Sequence, residues 1–355
     1  MKLICSRYTA YTKGTVLGYR LHMALRRAIL VAAAATMLLL PGLAGAQATS
    51  GQPAEPAPKF RSAVDLVSVA AVVRDRRGRF VFDLAREDFV VVEGGELRPI
   101  VGFEAERNGP IKLAVLFDIS GSMRVGSKVV DAQQAARHLF SALKVGDQVA
   151  LFSFDTRLDK VHDFTTDFTT LESAMSKVEA PFGQTSLYDA IAETARAVAE
   201  EAAKGASGLP RRAAVVVLTD GIDTKSRLTA PEVSGIASSI DVPVYVVAVM
   251  SAIDDPARQE QDSPAAVISS QLRDLSQWTG GELFTASAPA HASTAARQIV
   301  DELRNQYLLA FAASARPGWK PLEIRAKQGN LVVRARSGYL VGGGRTSPGQ
   351  EQERD

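Results

Sequence analysis

Cysteine is nearly missing from this 355-residue chain. The single one, Cys5, precedes an apolar stretch typical of an export leader, so the mature protein has no disulfide and must be held together by packing. Histidine is also scarce. His22, His138, His162 and His291 are scattered without the close pairing of a zinc site, which argues against zinc. No G-x-S-x-G elbow or P-loop pattern occurs, which removes the serine-hydrolase and nucleotide-phosphate signatures. An aspartyl-nucleophile phosphatase would need a second acid two residues after Asp118, where this chain has Ser120. The residues therefore predict a protein that is not an enzyme.

The basic excess is confined to one end. Residues 1–46 hold Lys2, Arg7, Lys13, Arg20, Arg26 and Arg27 and no acid, so losing these six cations turns the formal charge of +2 into −4. Within that region Arg26-Arg27, the apolar run AILVAAAATMLLL and the small residues Ala44-Gly45-Ala46 compose a secretory signal cleaved near Ala46, with Met23 a plausible true start. The run is too short to span a membrane comfortably. The expectation is an exported protein, periplasmic or secreted, with no transmembrane span once mature. A weakly acidic chain without a basic block is a poor nucleic-acid binder. Its oligomeric state is not written in the sequence.

What the chain does have is a set of oxygen-bearing residues placed after apolar runs. KLAVLF leads into Asp118, and RRAAVVVLT leads into Asp220. Short Val-rich runs of this kind suit strands buried on both faces of a parallel sheet, whose ligands gather beyond the carboxyl ends of the strands. Asp118, Ser120 and Ser122 of DISGS, Thr185 of GQTSLYDA, and Asp220 of LTDGIDT are therefore the candidate metal ligands. Hydroxyls, carboxylates and retained waters suit Mg²⁺, with Mn²⁺ or Ca²⁺ as alternatives. If the hydroxyls take the inner shell while the aspartates act through water, the ion keeps positive charge for a partner's carboxylate.

The DxSxS motif at Asp118, Ser120 and Ser122, followed by Thr185 and Asp220, resembles the metal-ion-dependent adhesion site (MIDAS) of von Willebrand factor type A (VWA) domains. The resemblance implies a doubly wound α/β fold and a cation, usually Mg²⁺, whose coordination is completed by an Asp or Glu of a bound protein. Integrin-like relatives carry acids just after DxSxS for a second ion. Met123 and Arg124 stand there instead, so one metal site is expected. Asp189 and Asp223 are candidates for a role at the rim, or equally for helix-start and turn roles.

The remaining segments complete the domain plan. Residues 47–59 have the Pro/Ala/Gly composition of a flexible linker. Residues 60–108 contain two hairpin patterns, around a basic Gly-containing turn and around Gly94-Gly95, with one helical turn in FDLAREDF. Residues 109–305 alternate strands (111–117, 148–154, 160–164, 213–218, 242–250, 282–285) with helices (127–143, 167–180, 186–204, 229–240, 264–279, 291–305), giving the VWA domain. Ser251 to Ser263 reads as a mobile loop. Residues 306–342 return to strands, QYLLAFAA, PLEIRAKQ and LVVRARSGYLV, and 343–355 read as a disordered tail. Neither end has enough strands for a sheet alone. The predicted architecture is a small β-sandwich built from both chain ends, with the doubly wound, mostly parallel Rossmann-like domain inserted in it. This plan also resembles bacterial secreted proteins related to von Willebrand factor A.

Overall fold

The computed structural model describes residues 66–105, 107, 109–180, 182–204, 212–250 and 264–341. The leader, the 47–59 linker, the Ser251–Ser263 segment and the tail predicted above lie outside these residues. Among the described residues, no helix is long and apolar enough to cross a membrane.

The central sheet contains β5 (Ile111–Asp118), β6 (Gln148–Phe154), β7 (Leu158–Thr165), β8 (Arg212–Thr219), β9 (Val244–Val249) and β10 (Leu283–Ala286), in the order β10-β9-β8-β5-β6-β7. Every pairing is parallel except β6 with β7. Burial explains the continuous apolar runs. Along β5, Leu113, Val115 and Phe117 face one core layer, shared with α1 (Lys128–Ala142), α2 (Phe168–Ser176) and α6 (Pro289–Arg304). Ala114 and Leu116 face the other, shared with α3 (Leu187–Ala203), α4 (Ala230–Ser239) and α5 (Pro264–Thr279). A strand covered on both sides cannot alternate with polar residues, so both its faces are apolar. Helix α2 stops at Ser176, short of the expected 180. The carbonyl of Ala180 accepts from the guanidinium of Arg124, 2.9 Å away, instead of extending the helix.

Two four-stranded sheets close on each other beside this domain. One has the order β13-β1-β11-β4, from β1 (Leu66–Asp75), β4 (Ile100–Glu104), β11 (Gln306–Ala312) and β13 (Leu331–Ala335). The other has the order β14-β12-β2-β3, from β2 (Phe89–Glu93), β3 (Glu96–Arg98), β12 (Gly318–Ala326) and β14 (Gly338–Val341). Strands from both chain ends pair antiparallel in each, and Val69, Val91, Leu309, Phe311 and Ile324 fill the space between. The α/β domain is therefore an insertion between β4 and β11.

The hairpin expectations need refinement. β2 and β3 do pair across Gly94 and Gly95, whose φ of 57° and 87° suit a primed turn. Pro99, with no backbone donor, follows β3, and the chain then moves to the other sheet as β4. Beyond the basic turn, the return arm of β1 is reduced to a single bridge between Arg74 and Phe80. LVVRARSGYLV is likewise two strands, one in each sheet.

Candidate functional site

β5 and β8 are adjacent and parallel, so their carboxyl ends place Asp118 and the Thr219-Asp220 pair side by side. Asp118 is fully buried. Its Oδ1 accepts from the backbone N–H of Ser120 at 2.8 Å, and its Oδ2 accepts from the Thr219 hydroxyl at 2.6 Å. All of these donors are neutral, and none of the described ion pairs reaches Asp118. Burial pushes its carboxyl up to about 7 against the hydrogen bonds from Thr219 and Ser120, and the nearby charge of Asp220 adds to the rise.

After Asp118 the chain turns into a short 3₁₀ segment, Gly121–Arg124. The hydroxyls of Ser120 and Ser122 lie 3.0 Å apart. The loop preceding α3 closes over this turn, with the Gly121 N–H donating to the Gly183 carbonyl at 3.1 Å. The approach is close enough that a Cβ at Gly121 would meet backbone atoms of Gly183 at 3.1 Å, so any larger residue there would have to push the Gly183 backbone aside. Thr185, two residues on, is buried, and its backbone is held by the third loop. Its N–H donates to the Thr224 hydroxyl at 2.9 Å, and its carbonyl accepts from the N–H groups of Thr224 and Lys225.

Asp220 completes the set. Its Oδ2 accepts from Lys128 Nζ at 3.0 Å, and its Oδ1 accepts from the N–H of Ile222 at 3.3 Å. The three loops that carry the five predicted residues are thus hydrogen-bonded to one another at one end of the sheet. Asp189 and Asp223 serve as staples. Asp223 accepts from the Leu187 N–H at the start of α3 and from the Ser226 hydroxyl, while Asp189 accepts from the N–H groups of Arg227 and Leu228.

Sequence reasoning missed Thr219 and Lys128. Thr219 was legible in principle, since a hydroxyl directly before Asp220 at a strand end is one residue from the motif. Lys128 carries no such signal, because only the fold brings the start of α1 to β8. The donor set suits a hard dication: it contains three hydroxyls and two carboxylates with no imidazole or thiolate, and one of the carboxylates is buried among neutral donors.

The loops around these residues are partly apolar. Val125, Phe182 and Ile222 are exposed, Phe182 to 86 %. The Arg124 guanidinium lies 4.1 Å from the centre of the Phe182 ring. Two clefts lie elsewhere: one of about 610 Å³ runs along Phe89, Leu97 and Lys327 in the sandwich, and one of about 330 Å³ is lined by Pro231, Trp278 and Trp319.

Residues 113–222 match the family model of the von Willebrand factor type A domain. No curated protein matches the chain. Among solved structures it is similar to the conserved hypothetical protein BatB of Bacteroides thetaiotaomicron, with 17 % identity, coverage of 54 % of this chain and 98 % of that one, and a TM-score of 0.44. It is also similar to a von Willebrand factor type A protein of Catenulispora acidiphila, with 13 % identity, 79 % and 75 % coverage and a TM-score of 0.43. Proximal thread matrix protein 1 of the mussel byssus shares 18 % identity over 60 % of this chain and 51 % of its own, with a TM-score of 0.44. On the family match and the doubly wound sheet that bears it, this chain contains a von Willebrand factor type A domain.

Proposed function

We propose that this is an exported, non-catalytic protein-interaction module whose rim of Asp118, Ser120, Ser122, Thr185 and Asp220 holds one divalent cation and captures an acidic residue of a protein partner through it. Mg²⁺ is the favoured ion, with Mn²⁺ and Ca²⁺ as substitutes. The observation that carries the reading is the junction of three loops at the carboxyl ends of β5 and β8, around a buried carboxylate whose described hydrogen-bond donors are neutral. When bound, the ion supplies positive charge at that carboxylate and an open position for a foreign one. The protein's part is orientation: Thr219 and the Ser120 N–H fix Asp118, and Thr224 fixes the backbone of Thr185.

One carboxylate-to-metal contact gives little specificity, so the surrounding loops must add a surface of standard interface size, about 800 Å² per partner. Val125, Phe182 and Ile222 offer apolar anchors, and the exposed Arg124, Lys225 and Arg227 favour an acidic partner. Asp118→Ala should abolish Mg²⁺ binding measured by calorimetry while the domain stays folded. Undiminished binding would refute the assignment.

A second reading, an accessory or assembly subunit of a cell-envelope complex in which metal is not decisive, is favoured by the Lys128 ammonium already paired with Asp220. A pull-down repeated with chelator separates the two. Loss of the partner supports cation-mediated capture, and retention supports the accessory role.

A further inference from the structure

Lys128 is the first residue of α1, the end of a helix where its macrodipole disfavours a cation. It is nevertheless buried, and so is the carboxylate it meets: the two side chains are 4 % and 2 % exposed, with Nζ 3.0 Å from Asp220 Oδ2. A buried ammonium at the wrong end of a helix needs local compensation, and Asp220 supplies part of it. We infer that Lys128 is a resident counter-cation of the rim, holding Asp220 away from direct metal ligation and weakening dication binding in exchange for a stronger pull on a partner's carboxylate. This inference rests on the cation-binding reading of the rim.

The charges set the direction of the effect. The Lys128 ammonium offsets the Asp220 carboxylate, so an added dication meets a rim one charge more positive than it would be without the lysine. The lysine therefore repels the metal and attracts the incoming acid, and between buried or half-buried charges both effects are large enough to measure. It also meets part of the rim's need for positive charge when no metal is bound, so the loops should keep their fold in chelator.

The test is calorimetric titration of MgCl₂ and MnCl₂, with no partner present, into the parent protein and into Lys128→Met, Lys128→Gln and Lys128→Arg. Thermal unfolding with and without Mg²⁺ gives an independent readout. The uncharged variants should bind the ion about tenfold or more tightly, and Mg²⁺ should raise their melting temperature more than it raises the parent's. Lys128→Arg should resemble the parent. Lys128→Gln, whose amide can still donate to Asp220, keeps the test available if Lys128→Met fails to fold. Equal or weaker metal binding by the uncharged variants, beside a parent that binds, overturns the counter-cation role and leaves the proposed function standing. Binding by the uncharged variants alone supports the role and removes the metal from the native function. Binding by none overturns both.

Discussion

Glu302 and Asp118, buried acids at opposite ends of the central sheet, are compensated in opposite ways. At the amino-terminal edge, Glu302 is fully buried and is met by two arginines, Arg74 at 2.8 Å and Arg334, which also pairs with Glu282. Nearby, Asp147 takes Arg304 at 2.5 Å and the N–H groups of Ile111 and Lys144. At the carboxyl-terminal edge, Asp118 is equally buried, and its described hydrogen bonds come from neutral groups of Thr219 and Ser120. The first arrangement fastens the α/β domain to the sandwich, since Arg74 and Arg334 belong to β1 and β13. The second leaves a carboxylate under-compensated where ligands of such sheets collect. A buried acid with an arginine indicates construction, whereas one without a cation is a candidate binding group.

The largest expected effect lies at the fastened end. Glu302→Gln removes the buried charge that Arg74 and Arg334 share, leaving Arg334 with Glu282 alone, and should cost about 3 kcal/mol in urea unfolding. A loss below about 1 kcal/mol would erase the distinction between the two edges. At the open end, Asp118→Asn keeps the shape and removes the charge, so metal-free stability should change by no more than about 1 kcal/mol while Mg²⁺ binding disappears. Paired melts and titrations would show this, and destabilisation matching that of Glu302→Gln would contradict it.

A third acid sharpens the contrast. Glu93 is buried in the sandwich, where burial pushes its carboxyl up, but hydrogen bonds from Tyr339, the Ser314 N–H and Arg98 outweigh this and hold it below the usual range. Its folded form thus binds its proton more weakly than the unfolded chain does. The stabilisation is present above the ordinary carboxylate range and is lost as pH falls through the depressed value. The parent's advantage over Glu93→Gln should be full at neutral pH and vanish in acid, and a gap that does not depend on pH would overturn the assignment. The smallest effect on stability belongs to Phe182→Ala. An exposed ring should cost within about 0.5 kcal/mol in a thermal melt, while partner retention on a resin should drop.

Much of the fold was legible because burial leaves a clear mark on composition. KLAVLF and AAVVVL could hardly be anything but central strands, and the shortage of strands at each end required the ends to combine. The switches between sheets were harder to see. Pro99 marks one, but the break at Arg336-Ser337 depends on contacts with distant residues: Arg336 donates to the carbonyls of Ser68 and Ser238, and the Ser337 N–H donates to the carbonyl of Trp278. At the rim, spacing identified residues at the ends of strands, where topology fixes position. It could not identify Lys128, ten residues from Asp118, whose relation to Asp220 exists only after α1 docks.

The joint between α6 and β11 has a mechanical consequence. Asn305 alone separates the helix from a strand held between β1 and β4. With no slack in that joint, a force that levers α6 must also strain the sandwich, so the two parts share load as a beam and its footing do. A force on the α/β domain would reach the sandwich through β11, whose antiparallel ladders to β1 and β4 would resist it.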